Sequence, residues 1–129
     1  MSKVDLSVNL AGMSMKNPVV VASGTFGFGR EYGQLFDLSE LGGICAKGLT
    51  LHRREGNPAP RIAETPMGIL NSVGLQNPGV DAFIEEELPF LRQSDVKVIA
   101  NISGNTPEEY GSMCEKVAAA GVDMIEVNI

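Results

Sequence analysis

Cysteine is scarce in this sequence: Cys45 and Cys114 are the only two, and neither lies in a Cys-x-x-Cys pair or a Cys/His cluster. A zinc site or an internal iron–sulfur cluster therefore has no ligand set. Two reduced, mostly buried thiols and no metal are expected. The single histidine, His52, has no partner serine or second histidine, which makes it an exposed loop residue rather than a base. Basic clusters are also lacking. Arg53–Arg54 is the one adjacent basic pair, in a chain of net charge −6. Such a balance repels phosphate backbones, so nucleic acid is not an expected partner. No apolar run approaches the roughly 20 residues needed to cross a bilayer. The start, Met1-Ser2-Lys3-Val4-Asp5, lacks the apolar core of a secretion signal. The expectation is a cytoplasmic protein with no membrane segment.

What is present fits one modest globular domain. Apolar residues make up 43% and charged residues 20% of the 129 positions, enough apolar surface to offset chain entropy. Fifteen glycines and seven prolines imply many tight turns. Residues 6–15, with the turn signal Ala11-Gly12, read as a short hairpin. The apolar run 19–22 suits a strand buried on both faces. A glycine-rich stretch, 23–29, follows; it is not Gly-x-Gly-x-x-Gly and carries no dinucleotide inference. Tyr32, Leu35 and Phe36 have helical spacing, and 43–48 reads as a second buried strand. Residues 80–93 read as a helix that Pro89 should kink or end early. A third strand covers 96–102.

The clearest helix start comes next. Thr106 is the N-cap, Pro107 takes the first helical position, and Glu109 completes a capping box. Tyr110, Met113, Cys114, Val117 and Ala118 form the expected buried stripe, and Gly121 supplies the stop. Residues 124–129 are a fourth strand. Buried strands alternating with amphipathic helices imply a parallel sheet, either doubly wound or closed into a barrel. A barrel needs roughly 250 residues, so four strand–helix starts look like half of one. The connection 50–78 is too long for an ordinary loop. It follows strand two, at the face where barrel active sites are built.

Polar residues recur at the same end of successive strands: Ser23 and Gly24 after the first, Lys47 and Gly48 closing the second, Asn101 in the third, Asn128 in the fourth. A polar group inside an apolar strand costs free energy unless it is paired. One such residue is easily a satisfied core group; four at one end suggest a shared ligand. Lys47 interrupts an apolar run, and its ammonium could hold an anionic substrate or a flavin carbonyl. The amides of Asn101 and Asn128 suit the edge of a heterocycle. The long connection holds a second amide- and glycine-rich stretch, residues 71–79.

These residues carry a resemblance. Residues 22–27 (Ala-Ser-Gly-Thr-Phe-Gly), Lys47, 54–61 (Arg-Glu-Gly-Asn-Pro-Ala-Pro-Arg), 71–79 (Asn-Ser-Val-Gly-Leu-Gln-Asn-Pro-Gly) and 126–129 (Glu-Val-Asn-Ile) occur in the order seen in the class 1 dihydroorotate dehydrogenases. The pieces 26–29 and 74–79 resemble the NAD-linked type B catalytic subunit more than the fumarate-linked type A enzyme. The resemblance implies an α/β fold, the (β/α)8 TIM barrel. Residues 1–129 would be its N-terminal half, an incomplete flavin-binding domain with the first four strands, an N-terminal hairpin and the long loop after strand two. It implies oxidation of dihydroorotate to orotate with FMN in pyrimidine biosynthesis, NAD being the final acceptor. By position, Ser23, Gly24, Lys47, Gly48, Asn101 and Asn128 would contact FMN. Lys47, Asn71, Ser72, Val73, Gly74, Leu75 and Asn128 would contact the substrate.

The family's strand four runs on from Asn128 through one residue to Ser-Cys-Pro-Asn, whose cysteine is the catalytic base. The sequence stops at Ile129, so the resemblance assigns no catalytic residue here, and neither Cys45 nor Cys114 matches that context. FAD and an iron–sulfur cluster are implied only on a partner electron-transfer subunit, around a homodimeric core in a heterotetramer. Two other readings stay open: a non-catalytic half-barrel that binds a partner or assembles with itself, and a related flavin barrel with another pyrimidine substrate. A polypeptide of these 129 residues is expected to self-associate through open apolar strand edges and to show no dihydroorotate oxidation. Size-exclusion chromatography with an activity assay tests both; a dispersed monomer or measurable turnover would overturn them.

Overall fold

The computed structural model describes residues 4–129. The turn at Ala11-Gly12 closes β1 (Val8–Leu10) on β2 (Met13–Met15) as an antiparallel hairpin. After β3 (Val20–Val21) come a single helical turn, α1 (Ser23–Phe26), two 3-10 turns (Tyr32–Gln34 and Leu38–Glu40) and β4 (Gly43–Cys45). The long connection folds β5 (Ile62–Thr65) onto β6 (Gly68–Asn71). A helical run then comprises α2 (Val80–Ala82), a π-helical turn (Phe83–Glu87) and α3 (Leu88–Leu91). β7 (Lys97–Ile102), α4 (Pro107–Ala119) and β8 (Met124–Val127) complete the chain.

Strands β3, β4, β7 and β8 form one parallel sheet in that spatial order. A doubly wound sheet reverses strand order at its switch point. Here chain order and spatial order coincide, as in a sheet wound in one direction. Strand side chains alternate between faces, and the two faces differ. On one, Ile44, Ala46, Leu49, Val98, Ala100 and Ile102 pack against Val80, Phe83, Leu88 and Leu91 of the helical run and Met113 and Val117 of α4. On the other, Cys45 and Ile99 meet Met13 and Met15 of the hairpin, with Met124 alongside. The hairpin thus covers the inner face towards the strands' N-terminal ends.

Several expected elements take a different form. The first strand is not buried on both faces. Only Val20 and Val21 pair, to β4 alone, and Val19 and Val20 are exposed because β3 is an edge. Tyr32, Leu35 and Phe36 do not share a helix face: a 3-10 turn stands there and Leu35 points to solvent. Pro89 does not end its helix. The Leu88 N–H reaches back five residues to Phe83 O. That wider π turn accommodates the missing N–H and ring of Pro89. In α4 the Thr106 side chain accepts from Glu109 N as expected, but the Glu109 carboxylate caps Asn105 N instead of Thr106 N. Ala118 lies on the exposed side, leaving Met113 and Val117 as the buried stripe. The loop 50–78 contains the β5–β6 hairpin, which its exposed residues did not signal.

β8 is anchored at its start by Asp123. Its carboxylate accepts from the Val98 N–H (2.9 Å), Lys97 Nζ (2.9 Å) and Arg92 Nη1 (2.6 Å). Burial pushes this carboxyl up, but those donors outweigh it and hold the acid below its ordinary value of 3.8. Asp123→Ala is expected to lower stability by about 2 kcal/mol, the range for charge-assisted hydrogen bonds. It should appear as a lower urea midpoint with an unchanged slope. A carboxyl held low stabilises the fold above its unfolded pKa, and the effect is lost as pH falls through the lower folded value. The penalty should therefore shrink in strong acid; an unchanged midpoint at neutral pH would refute the anchor.

Candidate functional site

The pairing of β4 with β7 carries a one-residue bulge at the C-terminal end of the sheet. Cys45 lies opposite Ile99, and Leu49 opposite Ile102. The chain running on from β4 therefore advances four residues while β7 advances three. Ala46 and Leu49 consequently both pack on the helix side, and the extra residue falls among Lys47 and Gly48. Bulges of this kind re-aim side chains beside functional sites. The Lys47 N–H is tied to Gly27 O at 2.9 Å. Its half-buried side chain has no ion pair or hydrogen bond among the described residues.

Asn101 lies beside this bulge. It is 3% exposed, and its Oδ1 is buried without a hydrogen-bond partner. The absence of a side chain at Gly48 matters here: a Cβ would come within 2.9 Å of Asn101 Oδ1 and 2.9 Å of Leu75 Cδ1, so both side chains would have to move. Three expected site residues from three parts of the chain thus converge: Gly48 of the bulge, Asn101 of β7 and Leu75 of the long connection. The Asn101 Nδ2 donates to Glu126 Oε1 on β8. The same oxygen accepts from the Cys45 thiol at 3.4 Å. Burial pushes that thiol up to about 12, with the Glu126 charge and hydrogen bond adding to it; hydrogen bonds with Ser23 oppose the rise. Ser23 thereby joins the group from the end of β3, half-buried, whereas its neighbour Gly24 is exposed.

The long connection is held by two polar hubs. The buried Asn77 accepts from Thr50 N (3.1 Å) and Gly79 N (2.9 Å), and donates to Leu75 O (2.8 Å) and Thr50 Oγ1 (3.0 Å). That contact holds Leu75 at φ 54°, a left-handed conformation costly for a side chain with a Cβ. Arg61 donates to Asn57 O (3.3 Å) and Gln76 Oε1 (2.7 Å), and its own carbonyl accepts from Ser72 N (2.9 Å). Gly74, at φ 76°, packs so closely on Asn57 that a Cβ would sit 2.8 Å from its backbone nitrogen. Asn57 N in turn bonds Val73 O (2.9 Å). Asn71 closes β6, exposed with Ser72 beside it.

Asn128 follows β8 and is exposed; its backbone N–H bonds Ile102 O (2.9 Å), and its carbonyl accepts from Tyr110 OH (2.6 Å). No hydrogen bond among the described residues joins Asn71, Ser72 or Asn128 to Lys47. Glu126, Asn77, Thr50 and Arg61 were absent from the expected site. Glu126 had a readable signal: it stands two residues from both Met124 and Asn128, and so shares the face of Asn128. Both cysteines are free, Cys45 buried and Cys114 half-buried, as expected. Among the described residues no cluster of acids, histidines or cysteines could hold a metal ion.

A family model described as dihydroorotate dehydrogenase matches residues 5–129. The chain is 60% identical over 126 residues to a protein of Thermoanaerobacter pseudethanolicus named dihydroorotate dehydrogenase B (NAD(+)), catalytic subunit. A protein of the same name from Petrotoga mobilis is also 60% identical, and one from Alkaliphilus metalliredigens 57%. The first two alignments cover 98% of this chain and 42% of the relative, the third 100% and 43%. The chain thus spans less than half the length of the curated relatives it matches.

The Cys45 geometry yields a direct test. A thiol raised to about 12 stays protonated through neutral pH, and the thiolate is the reactive form. Cys45 should resist iodoacetamide from pH 7 to 9 in the folded protein and react once urea unfolds it, as read by peptide mass mapping. Rapid labelling of the folded chain at pH 7 would contradict this environment.

Proposed function

The chain belongs to the dihydroorotate dehydrogenase family, and on that footing we propose that its 129 residues form the first four strand–helix units of a flavin-binding (β/α)8 barrel. In this reading the barrel is the catalytic subunit of an NAD-linked enzyme that oxidises dihydroorotate to orotate in pyrimidine biosynthesis. The observation that carries the reading is the convergence at the C-terminal end of the sheet. Lys47, whose side chain has no ion pair or hydrogen bond among the described residues, adjoins Gly48, and Gly48 packs against a buried acceptor without a partner, Asn101 Oδ1.

These features suit FMN. A buried acceptor left unpaired costs about 1–3 kcal/mol, and a heterocycle with an N–H donor removes that cost. Ser23, Gly24, Lys47, Gly48, Asn101 and Asn128 would hold the cofactor. When bound, FMN supplies a two-electron acceptor for the hydride that the substrate gives up at carbon six. Lys47 neutralises the orotate carboxylate or a flavin carbonyl by a charge-assisted hydrogen bond. The amides of Asn71 and Asn128 offer both donor and acceptor to the pyrimidine edge. Ser72, Val73, Gly74 and Leu75 complete the substrate wall. The restrained backbone of Leu75 and Gly74 limits the rearrangement needed on binding, the usual benefit of preorganisation.

The proton at carbon five goes to a base outside these residues. Cys45 is held as a neutral thiol committed to Glu126, and Cys114 lies on α4, among the residues packed against the helix-side core. NAD reduction runs through a partner subunit carrying FAD and an iron–sulfur cluster, around a homodimeric core in a heterotetramer. No helix among the described residues is long and apolar enough to cross a membrane; we place the assembly in the cytoplasm.

Lys47→Ala in a full-length subunit should lower kcat/KM for dihydroorotate by roughly ten- to a hundredfold, the equivalent of one charge-assisted contact. Orotate should bind correspondingly more weakly. Near-normal turnover together with normal orotate affinity would reject the assignment.

A further inference from the structure

Glu126 touches neither flavin nor substrate in the proposed site, yet its carboxylate ties two other strands to β8. Asn101 and Glu126 are paired positions of β7 and β8, so their side chains emerge on the same face. One carboxylate oxygen, Oε1, collects Asn101 Nδ2 from β7 and the Cys45 thiol from β4. It thereby links three neighbouring strands of the sheet.

The chemistry of the pair is asymmetric. An ionised carboxylate only accepts hydrogen bonds, while an asparagine amide donates from one end and accepts at the other. With Nδ2 committed to Glu126, Asn101 must turn Oδ1 towards the remaining space. That is the atom buried without a partner, and a side chain at position 48 would crowd it, its Cβ falling 2.9 Å away. Turning the amide over would set Oδ1 against the carboxylate and forfeit a charge-assisted bond.

We propose that Glu126 is a positioning residue that locks the Asn101 amide, so that the site presents an acceptor and selects a heterocycle with an N–H donor at that point. The inference rests on the flavin reading above and adds the residue that sets the polarity of the contact. The oxidised flavin ring has a single ring N–H, at position 3. A flavin methylated at that nitrogen therefore lacks the donor, and its extra methyl burdens wild type and variants alike.

The test uses the apo form of a full-length subunit titrated with FMN and with 3-methyl-FMN, followed by flavin fluorescence. Glu126→Gln keeps the shape but releases the lock, because an amide can either donate to Asn101 or accept from it. Its Kd for FMN should rise roughly tenfold, the loss of one hydrogen bond. Its Kd for 3-methyl-FMN should change less, so the preference for FMN narrows. Glu126→Leu, which offers no group to hold the amide, should narrow it in the same way and serves if the glutamine variant folds poorly. Equal weakening for both flavins would mark a merely structural residue and overturn the proposal, as would unchanged affinities. If the wild-type subunit takes up no FMN, the flavin reading itself falls and takes this inference with it. If it takes up FMN and only the narrowing is missing, this inference alone falls.

Discussion

Between Cys45 and Leu49 the chain uses four residues to keep pace with three on β7. Strict alternation would place Leu49 on the same side as Cys45. The bulge instead returns Leu49 to the helix-side core and leaves Lys47 and Gly48 as the residues that absorb the mismatch. The other site features at the top of the sheet depend on that offset. It sets Gly48 against the Asn101 amide, brings the Lys47 backbone to Gly27, and lets Leu75 reach the same point from the long connection.

Apolar burial and the polar groups of the candidate site are divided between the two faces of the sheet. The helix-side face buries a continuous set of aliphatic and aromatic side chains, among them the fully buried Phe83, Leu91, Met113 and Val117. The inner face has only a small cluster built on Met13, Met15, Cys45 and Ile99. Above that cluster the inner residues are polar: Asn101, Glu126 and Lys47. Placing unpaired polar atoms there costs free energy, and the large apolar contact on the other side of the same strands offsets it. Rigid strands carry the polar groups, so their relative positions follow from register rather than from loop conformation.

The long connection reaches comparable order by other means. It has little apolar core of its own, since β5 and β6 are exposed throughout. Side chains hold its backbone instead. Asn77 and Thr50 fasten the end nearest the sheet, and Arg61 ties residues 57, 72 and 76 together. Such satisfied polar networks specify one backbone path where hydrophobic burial cannot. The consequence is that Leu75 stays at φ 54° over the Gly48 gap.

Local pattern determined the buried strands around Ile44 and Val98 and the helix that starts at Thr106–Pro107, because these follow from local geometry and burial. Residue type at strand ends also marked Lys47, Gly48 and Asn101, since a polar or glycine residue interrupting an apolar run is visible without a fold. The Asn-Ser-Val-Gly-Leu stretch pointed to the family by resemblance, a different kind of evidence. Other features could not be read that way. The consecutive strand order, the edge exposure of β3, the π turn that carries Pro89 and the hairpin within residues 50–78 depend on which segments meet, and a linear pattern does not record that. The same holds for Glu126: its place on the inner face follows from period two, but its hold on Asn101 and Cys45 exists only because β4, β7 and β8 align in one register. Local sequence sets which groups are available; register decides which of them face each other, because a one-residue slip exchanges the two faces of a strand.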